Sequence, residues 1–164
     1  MLKLECCAVS SAEMGEMMET VTEKMKVEFE SYSWNVSLAR VIIASFLARL
    51  DPTIEEMEDV KTAVSEAVTN CVIHGYEGKG GIIEIRCEIT GQTIRISVHD
   101  DGVGIGDIAK AMEPMYTGRP DMNRSGMGFS FMEAFMDEVE VLSRVDEGTT
   151  VIMKKTIGLP REEV

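Results

Sequence analysis

Apolar and polar positions alternate or recur in clean periods along most of this chain. Met25, Val27 and Phe29 alternate with polar neighbours, the period of a strand. Asn35 is placed to cap a helix that carries Ala39, Ile42, Ile43, Phe46 and Leu50 on one face. Thr53 is followed three residues later by Glu56, the spacing of a capping box. The helix it opens is expected to bury Ile54, Met57, Val60, Val64, Ala67, Val68 and Cys71, and to stop near His74-Gly75. Gly78, Gly80 and Gly81 predict a turn. Ile83, Ile85, Cys87 and Ile89, then Ile94, Ile96 and Val98, alternate on either side of Gly91, which predicts a β-hairpin with one buried face. A helix is expected from about Gly128 to Met136. Val139, Val141 and Val145 then suggest one strand and Thr149, Val151 and Met153 another, joined at Glu147-Gly148. Strands and helices come in runs rather than in strict alternation. That predicts an α+β fold, a two-layer α/β sandwich with helices on one face of a mostly antiparallel sheet.

The pattern weakens in three places. Residues 1–24 read as an N-terminal extension in which Met14, Met17, Met18 and Val21 fall at helical spacing, so a short amphipathic helix and a frayed extension both stay open. Residues 102–125 carry Gly, Pro, Met and polar residues without a period, the mark of a lid or binding loop in a compact domain. Residues 158–164 form a tail. The domain proper is expected to span 25–157, one unit in a chain of 164 residues.

Charge narrows the partners. A formal net charge of −13 repels phosphate backbones and anionic lipid, so neither direct nucleic-acid binding nor membrane binding is expected, and basic partner proteins are favoured. An anionic nucleotide would need a metal ion, Arg or Lys beside it. No apolar run approaches the length of a membrane span, and Glu5 interrupts the start, against a secretory signal. Cys6, Cys7, Cys71 and Cys87 show no metal-type spacing and read as reduced thiols of a cytoplasmic protein.

Four blocks carry candidate chemistry. Glu66 and Asn70 are four apart on the long helix and share a face, where Asn70 offers Mg²⁺ a neutral oxygen and Glu66 can accept a proton. Asp100 closes the second hairpin strand and could accept a hydrogen bond from an adenine amino group, with Gly102 and Gly104 letting backbone approach a flat ligand. Gly126 and Gly128 precede a helix whose N-terminal N–H groups can hold phosphate oxygens, with Arg119 and Arg124 upstream to reach a terminal phosphate. Thr149, after Gly148, could bridge to the base or to Asp100. Each block alone also has a plain reading: a solvated glutamate, an Asp-Gly turn, a glycine linker, a β-branched strand residue. Together they predict an ATP site. His74 reads as a helix-end cap or cleft wall, His99 as structural and Trp34 as a packing anchor.

The same blocks resemble those of the ATP-binding superfamily of gyrase, the Hsp90 chaperone, histidine kinases and the mismatch-repair MutL proteins. Longer stretches are similar to one branch of it. These are Ser37-Leu38-Ala39-Arg40, Leu50-Asp51-Pro52-Thr53, Ser65 to Asn70, His74-Gly75-Tyr76, Arg124 to Phe129 and Phe135 to Val139. They resemble the sporulation anti-sigma-F factors, serine-protein kinases of spore-forming bacteria, from about Met25 to about Ile157. The resemblance implies a Bergerat-type ATP-binding fold, a homodimer, and binding of sigma factor F that keeps it from RNA polymerase. It also implies phosphorylation of a serine on an anti-anti-sigma partner. On that likeness Glu66 is the general base and Asn70 holds Mg²⁺. Asp100 reads adenine with Gly102, Gly104 and Thr149 near it, Gly126 and Gly128 hold phosphates, Arg124 senses the terminal phosphate, and Arg40 serves partner contacts. Gly118 and Arg119 stand where the family has Thr-Lys, and the residues before Met25 and after Ile157 have no counterpart.

Two functional readings follow. One is a kinase that doubles as a nucleotide-gated anti-sigma factor. The alternative is an anti-sigma binding module of a stress-response system, with ATP setting the lid and little kinase activity; Glu66 argues against it. A catalytic fragment of a histidine kinase is less expected, because residues 1–24 contain no histidine.

Overall fold

The alternating segments join into one sheet. The computed structural model describes residues 22–113 and 127–158. Its strands are β1 (Thr22–Glu30), β2 (Ile82–Thr90), β3 (Thr93–Asp100), β4 (Glu138–Arg144) and β5 (Gly148–Thr156). They are ordered β1-β2-β3-β5-β4, and every neighbouring pair is antiparallel. The helices are α1 (Asn35–Leu47), α2 (Ile54–Asn70), the single turn α3 (Ile108–Ala111) and α4 (Gly128–Phe135). This is the α+β sandwich that the periods predict.

Period-2 alternation sends Ile83, Ile85, Cys87, Ile89, Ile94, Ile96 and Val98 to one face, where all are buried. Ala39, Ile43 and Leu47 of α1, Val60, Val64, Ala67 and Val68 of α2, and Met132 of α4 are buried in the same core. Each buried Val, Ile, Leu or Met among them contributes roughly 1.5–3 kcal/mol by leaving water. The opposite face of the sheet carries charge ladders, among them Lys26–Glu84 at 2.7 Å and Lys154–Glu138 at 2.6 Å, as suits a face open to solvent.

The capping box forms as spelled. Glu56 N donates to Thr53 Oγ1 at 3.2 Å, and Thr53 N donates to Glu56 Oε2 at 2.8 Å. The stripe behind it is shifted from expectation. Ile54 is 86% exposed. At 100° per residue it lines up with Glu58, Lys61 and Ser65 rather than with Val60 and Val64. Glu56 and Asp59 are buried instead. They are satisfied across the fold: Gly158 N donates to Glu56 Oε1 at 2.8 Å, and Lys155 Nζ donates to Phe135 O at 2.6 Å and reaches Asp59 Oδ2 at 3.4 Å.

Other boundaries also differ. Asn35 is the first residue of α1 and not its cap; its amide donates to Glu30 O at 2.7 Å. α1 ends at Leu47 and tightens into a 3₁₀ turn over Ala48–Leu50, so Leu47 takes a core place while Ile42 is half-buried. Trp34 is 67% exposed and stacks on Tyr32 with ring centroids 4.5 Å apart. Val145 lies in the turn after β4 and is exposed. α3 occupies part of the segment read as having no period; its first turn is closed by Lys110 N donating to Asp107 Oδ1 at 3.0 Å. The helical spacing of Met14 to Val21, the upstream cysteines, and the lid residues 114–126 lie outside the described residues.

Candidate functional site

The inner end of α2 meets the start of α4. Glu66 and Asn70 sit one turn apart on α2, both half-buried. Gly128, the first residue of α4, packs against them. A methyl group at Gly128 would lie 3.2 Å from Glu66 Oε2 and 3.4 Å from Asn70 Oδ1. The carboxylate and the amide expected to do chemistry are therefore brought to the N-terminus of α4. Gly126 and Arg124, expected to hold phosphates, and Gly118 and Arg119 lie outside the described residues.

α2 does not stop at Asn70. It widens into a π-helical turn over Cys71–Gly75, in which Tyr76 N donates to Cys71 O at 2.8 Å. Such widened turns are rare and concentrate at functional sites. This one delivers Gly75 onto Asp100: a methyl group at Gly75 would come within 2.5 Å of Asp100 Oδ1. Gly102 closes the other side, where a methyl group would lie 2.2 Å from Gly75 O. Val103 N donates to Gly75 O at 2.9 Å and locks the loop after β3 to the π turn. Tyr76 anchors the same loop, accepting from Asp101 N at 2.9 Å and donating to Ile82 O at 2.5 Å.

Asp100 is 2% exposed. Its Oδ1 accepts from Gly102 N at 2.9 Å. Burial pushes its pKa above the usual aspartate value, opposed in part by the neighbouring Cys71 thiol and the Gly102 N–H. The result is a desolvated acceptor in a tight glycine-walled niche. An acceptor of that kind selects a ligand by one donor group, because a wrong partner leaves a buried polar atom unsatisfied.

The turn between β4 and β5 completes the loop's surroundings. Gly104 has φ +70 and fits under Arg144 O, where a methyl group would lie 1.9 Å away. Asp146 N donates to Val103 O at 2.9 Å, and Ile105 N donates to Ser143 Oγ at 2.8 Å. The glycines at 102 and 104 thus clear protein backbone, whereas the sequence suggested clearance for a ligand. Thr149 is buried and lies opposite Asp100 in the β3–β5 register. Its hydroxyl pairs with Ser143 Oγ at 2.9 Å and not with the Asp100 carboxylate. Ser143 escaped sequence reading because a lone serine in an alternating strand carries no signal.

Arg40 bridges α1 to α2, donating to Ser65 Oγ at 2.9 Å and to Glu58 Oε2 at 3.2 Å. Ser65 immediately precedes Glu66, so Arg40 touches α2 beside the candidate base. His99 lies on the solvent face of β3, with Nδ1 2.9 Å from Thr150 Oγ1 and Nε2 3.1 Å from Asp101 Oδ1. That fits the structural role expected of it.

One stretch, residues 66–75, thus touches α4 through Glu66 and Asn70 and the Asp100 niche through Gly75. Residues 29–155 match the family model of the histidine kinase-like ATPase domain. A protein of Clostridium novyi named anti-sigma F factor is 58% identical over 135 residues, covering 82% of this chain and 94% of that one. A Clostridium acetobutylicum protein of the same name is 56% identical over 136 residues, covering 83% of this chain and 95% of that one. Among solved structures, the RsbU and RsbW domains of a Mycobacterium tuberculosis protein superpose with a TM-score of 0.59 at 20% identity. That match covers 82% of this chain and 32% of that one, a likeness of fold.

Proposed function

Since the chain belongs to the histidine kinase-like ATPase domain family, and within it to the anti-sigma F factors, we propose that it binds magnesium-ATP beside α2, sequesters sigma factor F, and phosphorylates a serine of its anti-anti-sigma antagonist. The reading rests above all on residues 66–75, which contact both the first residue of α4 and the Asp100 carboxylate.

In this reading Asp100 accepts a hydrogen bond from the adenine amino group, and Gly102, Gly104 and Thr149 shape the niche around the base. The N-terminus of α4 at Gly128, with Gly126 and Arg124 before it, meets the phosphates. Asn70 would hold Mg²⁺. Its amide oxygen and the Glu66 carboxylate flank the same glycine, a donor set suited to a hard cation. Among the described residues no three His, Cys, Asp or Glu side chains cluster to cage a metal. That is consistent with an ion held by one side chain plus substrate phosphates and waters. When bound, Mg²⁺ neutralises charge on the phosphates.

Glu66 takes the proton of the attacking serine hydroxyl. The serine oxygen bonds to the terminal phosphorus, the bond from that phosphorus to the bridging oxygen breaks, and ADP departs with the electron pair. Homodimerisation, partner contacts at Arg40, a cytoplasmic setting and a role in sporulation belong to the same proposal. No described helix is long and apolar enough to cross a membrane.

The test is phosphotransfer from labelled ATP to the partner's serine. Replacing Glu66 by Ala should keep ATP binding and cut transfer by about 10²–10⁴-fold, the usual worth of a positioned base. Unchanged transfer would remove Glu66 from the mechanism. Absence of phosphoserine with the unaltered protein would favour the binding-module reading, in which nucleotide only gates the sigma contact.

A further inference from the structure

Gly128 meets Glu66 and Asn70 at one end of α4, and a buried lysine holds the other end. Lys155 of β5 is 7% exposed. Its Nζ donates to Phe135 O, the carbonyl of the last residue of α4, at 2.6 Å, and reaches Asp59 Oδ2 on α2 at 3.4 Å. We propose that Lys155 is a positioning residue for phosphoryl transfer, tying the C-terminal end of α4 to α2 so that Gly128 stays seated against Glu66 and Asn70. The inference rests on the kinase reading given above.

Two helical lengths agree with this. From Phe135 back to Gly128, α4 spans about 10 Å at the usual rise per residue. From Asp59, α2 climbs about 10 Å to Glu66 and about 16 Å to Asn70. The two helices therefore run antiparallel, with Lys155 at one end of their contact and Gly128 at the other. Asp59, Glu66 and Asn70 also share one face of α2, because their spacings return to within about 20° of the same direction. Phe135 O is one of the carbonyls that a helix end leaves without a partner of its own, and the helix dipole favours a cation there. Asp137 pins the residues just after α4 to β5. Its backbone N–H donates to Lys154 O at 2.9 Å, and its carboxylate accepts from Thr156 N at 2.6 Å. The C-terminal end of α4 is thus the anchored end. A shift there moves the whole two-turn rod, including the end that faces the reacting groups. A misplacement of about 1 Å at such groups can cost about a hundredfold in rate.

The test compares two variants of the full chain by phosphotransfer from labelled ATP to the antagonist's serine, by calorimetry with ADP, and by thermal melting. Asp59→Leu combined with Lys155→Met removes both charges together, so no buried ion is left unpaired and the fold can persist. It also removes the donor to Phe135 O. This double variant should fold, should bind ADP nearly as the unaltered protein does because the Asp100 niche is untouched, and should lose at least about tenfold in kcat. Asp59→Asn keeps an acceptor for Nζ and leaves the bond to Phe135 O in place, and its kcat should hold. Four results would each overturn the inference and leave the kinase reading standing: full kcat in the double variant, ADP affinity falling in step with kcat, a double variant that does not fold, or a comparable loss of kcat in Asp59→Asn. Absence of transfer by the unaltered protein would overturn both.

Discussion

Gly75 rests directly on the carboxyl group of Asp100, so closely that a methyl group on its Cα would lie 2.5 Å from Oδ1 and 2.8 Å from the carboxyl carbon. The contact leaves no room for any side chain at position 75. It also ties the end of the π turn to the one buried carboxylate on β3.

Gly75→Ala is therefore expected to act on binding and stability together. The extra carbon must displace either the π turn or Asp100, an overpacking that costs about 1–3 kcal/mol. Thermal denaturation should show a lowered midpoint, and ATP titration a loss of affinity. A variant with unaltered affinity and midpoint would mean that the niche is looser than the contact implies.

Gly128→Ala separates the two effects. Alanine favours a helix over glycine by about 1 kcal/mol in its interior, so α4 should not be weakened. The same carbon crowds the Glu66 carboxylate at 3.2 Å and the Asn70 amide at 3.4 Å. Phosphotransfer is expected to fall at least tenfold while the melting midpoint holds or rises. Loss of the fold, or full activity, would contradict the placement of those two groups.

Ser31→Ala should stabilise the protein. Ser31 is 3% exposed, and its hydroxyl has no hydrogen-bond partner among the described residues. Deleting a buried unsatisfied group of this kind is worth about 1–3 kcal/mol. Chemical denaturation that gave a lower stability for the alanine variant would show that the hydroxyl is satisfied in solution.

Acid stability should depend on Glu56. Hydrogen bonds from Gly158 and Thr53, with the Lys155 charge nearby, hold its pKa below the usual glutamate value of 4.5. A depressed carboxylate pKa contributes stability that is complete above the unfolded value and fades as pH falls through the folded one. Melting curves of the unaltered protein and of Glu56→Gln should differ most near neutrality and converge as pH drops below 4.5. A gap that widened on acidification would reverse the sign of this contribution.

The elements that sequence reading located best are those with long, single-period patterns. The β2–β3 hairpin and most of α2 fall where their isoleucines and valines put them, because one face of each is buried along its whole length. Ile54 misled because apolarity at a helix start says nothing about its angle to the core. The burial of Glu56, Asp59 and Lys155 carried no sequence signal: it depends on partners up to 102 residues away in the chain, which no local pattern encodes. For the site, Glu66, Asn70, Asp100 and Gly128 were legible as residue types. The π turn, the Gly75–Asp100 contact and the Ser143–Thr149 pair were not, since each depends on how the chain folds around it and not on any local period.

Calorimetry of the full chain with magnesium-ATP, alongside Asp100→Asn, addresses the central claim most directly. The asparagine keeps the side chain's size and can still accept from Gly102, but it places an NH₂ donor where a second acceptor is needed. The unaltered protein should release or absorb measurable heat and saturate with one nucleotide per chain, and the variant should bind far more weakly. An unaltered protein that gives no binding heat at any temperature tried, or an asparagine variant that binds ATP equally well, would contradict the account.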